Sequence, residues 1–175
     1  MKFLLNKPKT TIHVEDLKRI SEYFELIKQV KDSYSNLYRS FRSFEDLKTI
    51  PDMSDLKVLG YFSIIEALIT HAPKLAEPMD SLNHQLRTKV PLLRKRFERE
   101  ISYQDYFERA KEENIWTKLY QFRSCIAHGA EPNFSKDLNV LRTCNDISLF
   151  LQELTKLLLI YTLKDPGFVS DLKKC

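Results

Sequence analysis

Along most of the chain, hydrophobic residues recur three and four positions apart, which is the spacing of one face of an α-helix. The longest such segment runs from about Val14 to Leu47. Its apolar positions are Leu17, Ile20, Phe24, Ile27, Val30, Tyr34, Leu37, Tyr38 and Phe41. A break near Lys31-Asp32-Ser33 would divide the segment into two helices. Residues 1–12, which contain Lys7-Pro8-Lys9, are predicted to be extended.

Two further helices are predicted in the middle of the chain. One begins after Ser54, a residue type that caps helix N-termini, and runs to residue 70 or 71. The next begins at Asp80 or Ser81 and carries one apolar stripe. That stripe is Leu82, Leu86, Val90 and Leu93. Pro91 lies inside this pattern and is expected to kink or split the third helix, because proline cannot donate a backbone hydrogen bond.

A fourth helix is predicted to begin at Ser102 or Asp105. Its apolar positions are Phe107, Ile115, Trp116, Leu119, Phe122 and Ile126. Gly129 occupies the position just beyond, where helices commonly end in a left-handed residue. The motif discussed below therefore lies at the end of a helix.

The last predicted helix runs from about Lys136 to Leu163 and stops at Asp165-Pro166-Gly167. No convincing strand alternation occurs, except at residues 2–5. The pattern therefore predicts an all-α fold, a single bundle of about five helices with a kinked third helix. The helical domain would span 13–168, followed by a C-terminal tail at 169–175.

Composition agrees with one globular domain. The chain has 175 residues, of which 43% are hydrophobic and 30% charged, and this length allows a sizeable core. Glycine is scarce, with three residues. Neither GxGxxG nor GxxxxGKS/T occurs, so nucleotide binding through a glycine-rich phosphate loop is not expected.

Cysteines and histidines are scattered. The cysteines are Cys125, Cys144 and Cys175, and the histidines are His13, His71, His84 and His128. Their spacings match no zinc motif, so we expect no metal site and no cofactor, and reduced thiols in a cytoplasmic protein. The apolar run at 157–161 is too short to span a bilayer, so no membrane association is expected.

Positive charge is concentrated in one segment, although the net charge is a mild +4. Six basic residues fall within thirteen positions and are offset only by Glu98. They are Arg87, Lys89, Arg94, Lys95, Arg96 and Arg99. This cluster is either a solvated helix face or a groove that binds an RNA backbone.

One motif carries candidate chemistry. Arg123 is followed by four residues, then His128 and Gly129. Arginine binds phosphate through a planar fork of donors, and histidine transfers protons near neutral pH. The pair suggests phosphodiester chemistry that needs no metal. On an ideal helix the two residues are about 140° and roughly 7.5 Å apart, so a cleft lined by a second copy would bring them together most easily.

Other interpretations of these residues stay open. Arg123 and His128 could be a surface cation and a capping histidine. Cys125 lies three positions before His128 and could pair with it as in cysteine hydrolases, but no orienting Asn or Asp and no oxyanion loop is evident.

The stretch Tyr120-x-x-Arg123-Ser124-x-x-x-His128-Gly129 resembles the signature of the ApeA-like branch of HEPN-domain ribonucleases. Ser124 departs from the wider superfamily, where Asn, Asp or His is commoner at that position. The resemblance implies a helical bundle that pairs with a second copy to form one composite RNA-cleaving site. It further implies a toxin or an effector of defence against phage.

A second local resemblance lies in the apolar run at 61–68. In many related domains a helix with one Glu before Ala-Leu packs beside the motif helix, and Glu66 stands alone in this run. A buried carboxylate needs a partner, and Arg123 or His128 would supply one.

The resemblance implies an endoribonuclease. The RNA 2′-OH would attack the adjacent phosphorus with His128 as general base or acid and Arg123 on the phosphate, leaving a 2′,3′-cyclic phosphate. Ser124 would orient the phosphate or histidine, Glu66 would contribute in support, and Tyr120 would pack. An antitoxin or sensor domain would hold the enzyme in check. The alternatives are a non-catalytic dimerisation or RNA-binding module, and the C-terminal effector part of a longer protein.

Overall fold

The computed structural model describes residues 12–52, 54–74 and 80–175, and these parts of the chain form an all-α bundle. Its helices are α1 (Val14–Ser33), α2 (Ser35–Asp46), α3 (Asp55–Ile69), α4 (Leu82–Arg94), α5 (Glu112–Ala127), α6 (Cys144–Lys164) and α7 (Pro166–Lys174). No strand occurs in the described ranges. The predicted fold class is therefore confirmed, with seven helices in the described ranges in place of about five.

The core is centred on α3 and α6, the two most apolar helices. Their sequences are hydrophobic on several sides, as expected for helices that are covered by neighbours. The largest fully buried side chains of the core include Tyr61, Phe62, Trp116, Phe122 and Phe150. Each buries enough apolar surface to contribute about 2–3 kcal/mol to stability. Helix α5, which carries the motif, packs into this core through Trp116 and Phe122.

Several helix boundaries follow the predictions. The break in the long N-terminal segment lies at Tyr34, next to the predicted position, where the backbone leaves helical geometry with φ −136° and ψ 68°. Ser54 precedes α3 as predicted.

Helix α4 continues through Pro91 without being split. The predicted extended segment at 1–12 lies outside the described residues, apart from residue 12.

The predicted starts of the fourth and last helices were too early. The Ser102 hydroxyl accepts a hydrogen bond from the backbone N–H of Gln104, 3.3 Å away, and so begins only a short 3₁₀ turn. Helix α5 starts later, at 112. Likewise α6 starts at 144, where the Thr143 hydroxyl accepts from the N–H of Asp146 at 3.1 Å. Local capping therefore outweighed the apolar spacing upstream.

Most of the predicted C-terminal tail at 169–175 is helical, because it belongs to α7. Pro166 stands at the first turn of α7, where its missing N–H costs nothing. The Asp165 carboxylate accepts from the N–H of Phe168 at 3.0 Å and caps the helix. Val169 is buried against the core. Asp165-Pro166-Gly167 ends α6 as predicted, and the same residues also begin α7.

Helix α1 leaves much apolar surface in contact with solvent. Val14, Leu17, Ile20 and Phe24 are each more than half exposed. Within the described ranges, every helix is too short or too polar to cross a bilayer.

Candidate functional site at the end of helix α5

The motif lies where α5 ends and the chain reverses. The N–H of His128 bonds to the carbonyl oxygens of Ser124 and Cys125, at 3.1 and 3.3 Å. Gly129 then takes a left-handed conformation with φ +69°, and the N–H of Ala130 bonds back to Cys125 O at 3.0 Å. This ending explains the glycine after the histidine. His128 is the C-cap residue of α5 and is exposed.

Arg123 points from α5 towards α3. Its Nη2 lies 3.3 Å from Oε2 of Glu66, and the side chains are 29% and 15% exposed. Of the two partners considered for Glu66, Arg123 is the one that contacts it. The contact is long for a charge-assisted hydrogen bond, which is usually about 2.7–2.9 Å.

Burial leaves this ion pair incompletely satisfied. Glu66 Oε1 and Arg123 Nε are both buried and have no hydrogen-bond partner among the described residues. Burial raises the pKa of Glu66, and the charge and hydrogen bond of Arg123 oppose that rise. The Arg123 guanidinium also lies over the Tyr120 ring, 5.7 Å from its centroid. Tyr120 is half-buried, so the expected packing role fits its position.

The remaining motif residues are less constrained. Ser124 is half-buried. The thiol of Cys125 donates to the carbonyl oxygen of Ala130, 3.3 Å away, so its hydrogen bond is to the backbone. That bond argues against pairing of Cys125 with His128 as a catalytic dyad. Arg123 and His128 share one end of α5, where Arg123 contacts Glu66 and His128 is exposed.

The predicted RNA-binding cluster is divided by the fold. Lys89 is buried and donates to the carbonyl oxygen of Lys173 and to Gln85 Oε1, both at 3.3 Å. Arg94 donates to Ile101 O at 2.9 Å and to Glu112 at 3.0 Å. These two side chains face protein groups, so they serve the fold in this conformation.

The other four cluster residues are distributed differently. Arg96 packs on the Phe168 ring, with 4.1 Å from guanidinium carbon to ring centroid, and Arg99 pairs with Glu153. Lys95 is exposed, and Arg87 is half-buried with an unpartnered Nε. The cluster therefore does not form one continuous basic face.

A polar network that the sequence did not reveal lies at the start of α5. Glu112 accepts from Arg94 and from the hydroxyl of Tyr103, at 3.0 and 2.9 Å. That hydroxyl in turn accepts from the indole N–H of Trp116 at 2.7 Å. Burial and the nearby Glu112 charge raise the pKa of Tyr103. These partners are 18, 9 and 13 positions apart along the chain, so the spacing of three or four that marks a helix face does not predict their contacts.

A second such network joins the end of α3 to α4 and α7. The His71 ring lies between Lys173 O, 2.8 Å from Nδ1, and Asp80 Oδ1, 2.9 Å from Nε2. Gln85 bonds to the backbone of His71 and to the Asp80 carboxylate. This network fixes the start of α4 against the end of α3 and against α7.

Within the described ranges, no three His, Cys, Asp or Glu side chains converge as metal ligands would. Comparison of the chain with protein-family models, curated proteins and solved structures found no match.

Proposed function

We propose that this protein is a metal-independent endoribonuclease whose site is built at the C-terminal end of α5. One observation carries the proposal. The half-buried guanidinium of Arg123, held by Glu66, lies at the same helix end as the exposed His128. A guanidinium with unused donors suits a phosphodiester, and an accessible imidazole suits proton transfer near neutral pH.

The proposed step is an internal displacement in RNA. The ribose 2′-OH gives its proton to a histidine, and its oxygen bonds to the adjacent phosphorus. The bond from phosphorus to the 5′ oxygen breaks, and that oxygen takes a proton. Arg123 stabilises the extra negative charge on the phosphoryl oxygens in the transition state. The products are a 2′,3′-cyclic phosphate and a 5′-OH, and DNA is not cleaved because it lacks the attacking hydroxyl.

We propose further that the working form is a homodimer. One chain offers one motif histidine, whereas the step needs a proton acceptor and a proton donor. Arg123 faces α3 while His128 is exposed, so a second copy facing this end supplies the missing groups. Such an enzyme would act in the cytoplasm as a toxin or phage-defence effector. An antitoxin or sensor domain would restrain it.

The alternative is a non-catalytic dimerisation or RNA-binding module. It is favoured by the His128 ring, which is exposed and makes no hydrogen bond to the described residues. A catalytic histidine is usually oriented by a neighbour, whereas a binding histidine does not require one.

Cleavage of a labelled RNA in excess EDTA separates the two functions. The enzyme hypothesis expects wild-type protein to give cyclic-phosphate ends, and His128→Ala to lose about 100-fold or more in rate. His13→Ala is the matched control, because His13 is also an exposed histidine but lies before α1. Binding without cleavage by wild-type dimer would favour the module. Equal cleavage by His128→Ala would remove this site from consideration.

A further inference from the structure

A groove crosses α3 between α2 and α7, and it contains two adjoining cavities. The first measures about 230 Å³ and the second about 220 Å³. Asn36 of α2, Ala67 of α3 and Lys173 of α7 line both cavities, so the two open onto the same middle section. Sites for small molecules begin at about 300 Å³, so the groove as a whole is large enough to hold one.

Positive charge lies in this groove without a matching carboxylate. The ammonium of Lys173 donates to the carbonyl oxygen of Ala67, 2.6 Å away, which fixes it at the junction of the two cavities. Arg39 lines the second cavity, is exposed, and makes no hydrogen bond or ion pair within the described part of the chain. Among the described residues, neither cavity has an Asp or Glu in its lining, so the groove favours an anion.

Hydroxyl groups make up most of the remaining polar lining. Five serines line the groove with hydroxyls that make no hydrogen bond to other described residues. They are Ser33, Ser35, Ser43, Ser63 and Ser170. Asn36 adds a side-chain amide that is likewise unpartnered in the described ranges. A hydroxyl both donates and accepts, so such a lining suits a ligand that itself carries several hydroxyls.

The first cavity also offers an aromatic side chain. Tyr34 lines this cavity, is exposed, and packs its ring on no other aromatic ring among the described residues. Aromatic rings that are free in this way stack on nucleobases. Tyr34 lines the first cavity, Lys173 both cavities and Arg39 the second. The groove therefore presents a stacking surface, an ammonium and a guanidinium in that order.

We propose that this groove binds a nucleoside phosphate. The base stacks on Tyr34, the sugar hydroxyls bond to the serines, and the phosphate meets Lys173 and Arg39. The same groups recognise a free nucleotide and a nucleotide unit of RNA, and competition between the two distinguishes these sources. Neither Arg123 nor His128 lines the groove, so this site does not depend on the cleavage proposed above.

Isothermal titration calorimetry with AMP at low salt tests the groove directly. Wild-type protein should bind AMP with a Kd below about 1 mM, and adenosine, which lacks the phosphate, at least about tenfold more weakly. Arg39→Gln should weaken AMP binding about 5- to 10-fold, because a charged donor is lost. The matched control Arg42→Gln removes another exposed arginine of α2, outside the groove, and should change the affinity less than about twofold. Absence of AMP binding, or equal affinities of the two variants, would overturn the proposal.

Filling the groove is a test that leaves its charges in place. Ala67→Leu adds bulk at the junction of the two cavities, and leucine is nearly as good a helix former as alanine, so α3 should stay folded. AMP and adenosine should both bind at least about tenfold more weakly, because the side chain occupies their space. If this variant does not fold, Ser63→Leu places the same bulk in the second cavity from an exposed position. Full-affinity AMP binding by a folded variant would overturn the assignment of the nucleotide to this groove.

An RNA hexamer added as competitor to the His128→Ala protein identifies the source of the nucleotide. If the hexamer displaces AMP, and Arg39→Gln weakens the binding of both, the groove holds an RNA strand. If the hexamer does not displace AMP, the ligand is a free nucleotide. AMP binding without RNA cleavage by the wild-type protein would refute the nuclease and keep the groove. Cleavage that depends on His128, without AMP binding, would refute the groove alone.

Discussion

The two ends of α5 each carry an arginine–glutamate pair, yet the surroundings of the pairs differ. At the start of the helix, Glu112 receives hydrogen bonds from both Arg94 and Tyr103. At the end, Glu66 and Arg123 share one long contact, and each keeps an unpartnered buried atom within the described structure. A network whose polar groups are all hydrogen-bonded stabilises a fold. Unpartnered buried polar groups lower its stability, a cost that functional sites often carry. The difference separates the structural end of α5 from the candidate functional end.

The largest expected effects come from removing either arginine. Arg123→Ala should slow RNA cleavage about 100- to 1,000-fold, because its guanidinium acts on the transition state. Its cost in free energy of unfolding should be smaller than that of Arg94→Ala, because it also removes a buried unpartnered Nε and leaves a carboxyl whose pKa burial already raises. Arg94→Ala should cost about 2 kcal/mol or more in free energy of unfolding, because Glu112 loses a charged donor. Cleavage rates and urea unfolding measured on both variants check this. If the two variants lose cleavage rate and stability to the same extent, the two ends of α5 do not differ in role.

Removing the hydroxyls of Tyr103 and Tyr120 compares the same two ends of α5 through smaller effects. Tyr103→Phe should lower the free energy of unfolding by about 1–3 kcal/mol, since both Trp116 and Glu112 lose a partner. Tyr120→Phe keeps the ring beneath Arg123 and should cost under about 0.5 kcal/mol. Urea unfolding compares the two directly. A larger loss in Tyr120→Phe would contradict this assignment.

Gly129→Ala should cost about 1 kcal/mol through backbone conformation alone. The residue has φ +69°, and a Cβ there would meet no atom within 4 Å. Gly167→Ala in α7 is the control, because its Cβ would make only an ordinary contact, 3.9 Å from Asp165 Oδ1. Thermal unfolding of both proteins measures the difference. An unaffected Gly129→Ala protein would show that the left-handed ending of α5 is dispensable.

The smallest expected effect is on the pH dependence of stability, which should have opposite signs for the Glu66 and Glu98 carboxyls. Burial raises the pKa of Glu66, so its folded form binds a proton more readily than the unfolded chain does. The stability it contributes is present at low pH and lost as pH rises through the folded pKa. Glu66→Gln should therefore gain stability relative to wild type between pH 4 and pH 7.

Glu98 provides the reverse case. Hydrogen bonds from Lys164 and Tyr23 lower its pKa, so its contribution is present above the unfolded pKa and lost as pH falls. Glu98→Gln should lose stability relative to wild type over the same rise in pH. Unfolding temperatures of both variants across this range give the two slopes. Slopes of the same sign would show that burial does not dominate at Glu66.

Local sequence signals predicted much of the fold and the placement of the motif. The apolar spacing identified the helical segments, Ser54 marked the start of α3, and Gly129 marked the end of α5. The solitary Glu66 in an apolar run indicated a buried partner, and Arg123 is that partner. Each of these signals depends on a few neighbouring residues or on a single buried charge.

Long-range partners could not be predicted in this way. Lys89 appeared to belong to a basic surface, but its ammonium bonds to the carbonyl oxygen of Lys173, far along the chain. Arg94 likewise meets Glu112 only once α4 and α5 pack. Helix α7 was missed because Asp165-Pro166 both ends one helix and caps the next. In each case the tertiary contact decides the role.

The most direct test of the central claim is cleavage of an RNA oligonucleotide in excess EDTA, beside the same oligonucleotide with a single 2′-deoxy substitution at the cleaved position. The account predicts that wild-type protein cuts the first to a cyclic phosphate and a 5′-OH. It also predicts that the substituted position resists cleavage and that Arg123→Ala cuts the first substrate at least about 100-fold more slowly than wild type. Cleavage at the deoxy position, or undiminished cleavage by Arg123→Ala, would contradict 2′-hydroxyl attack at the end of α5.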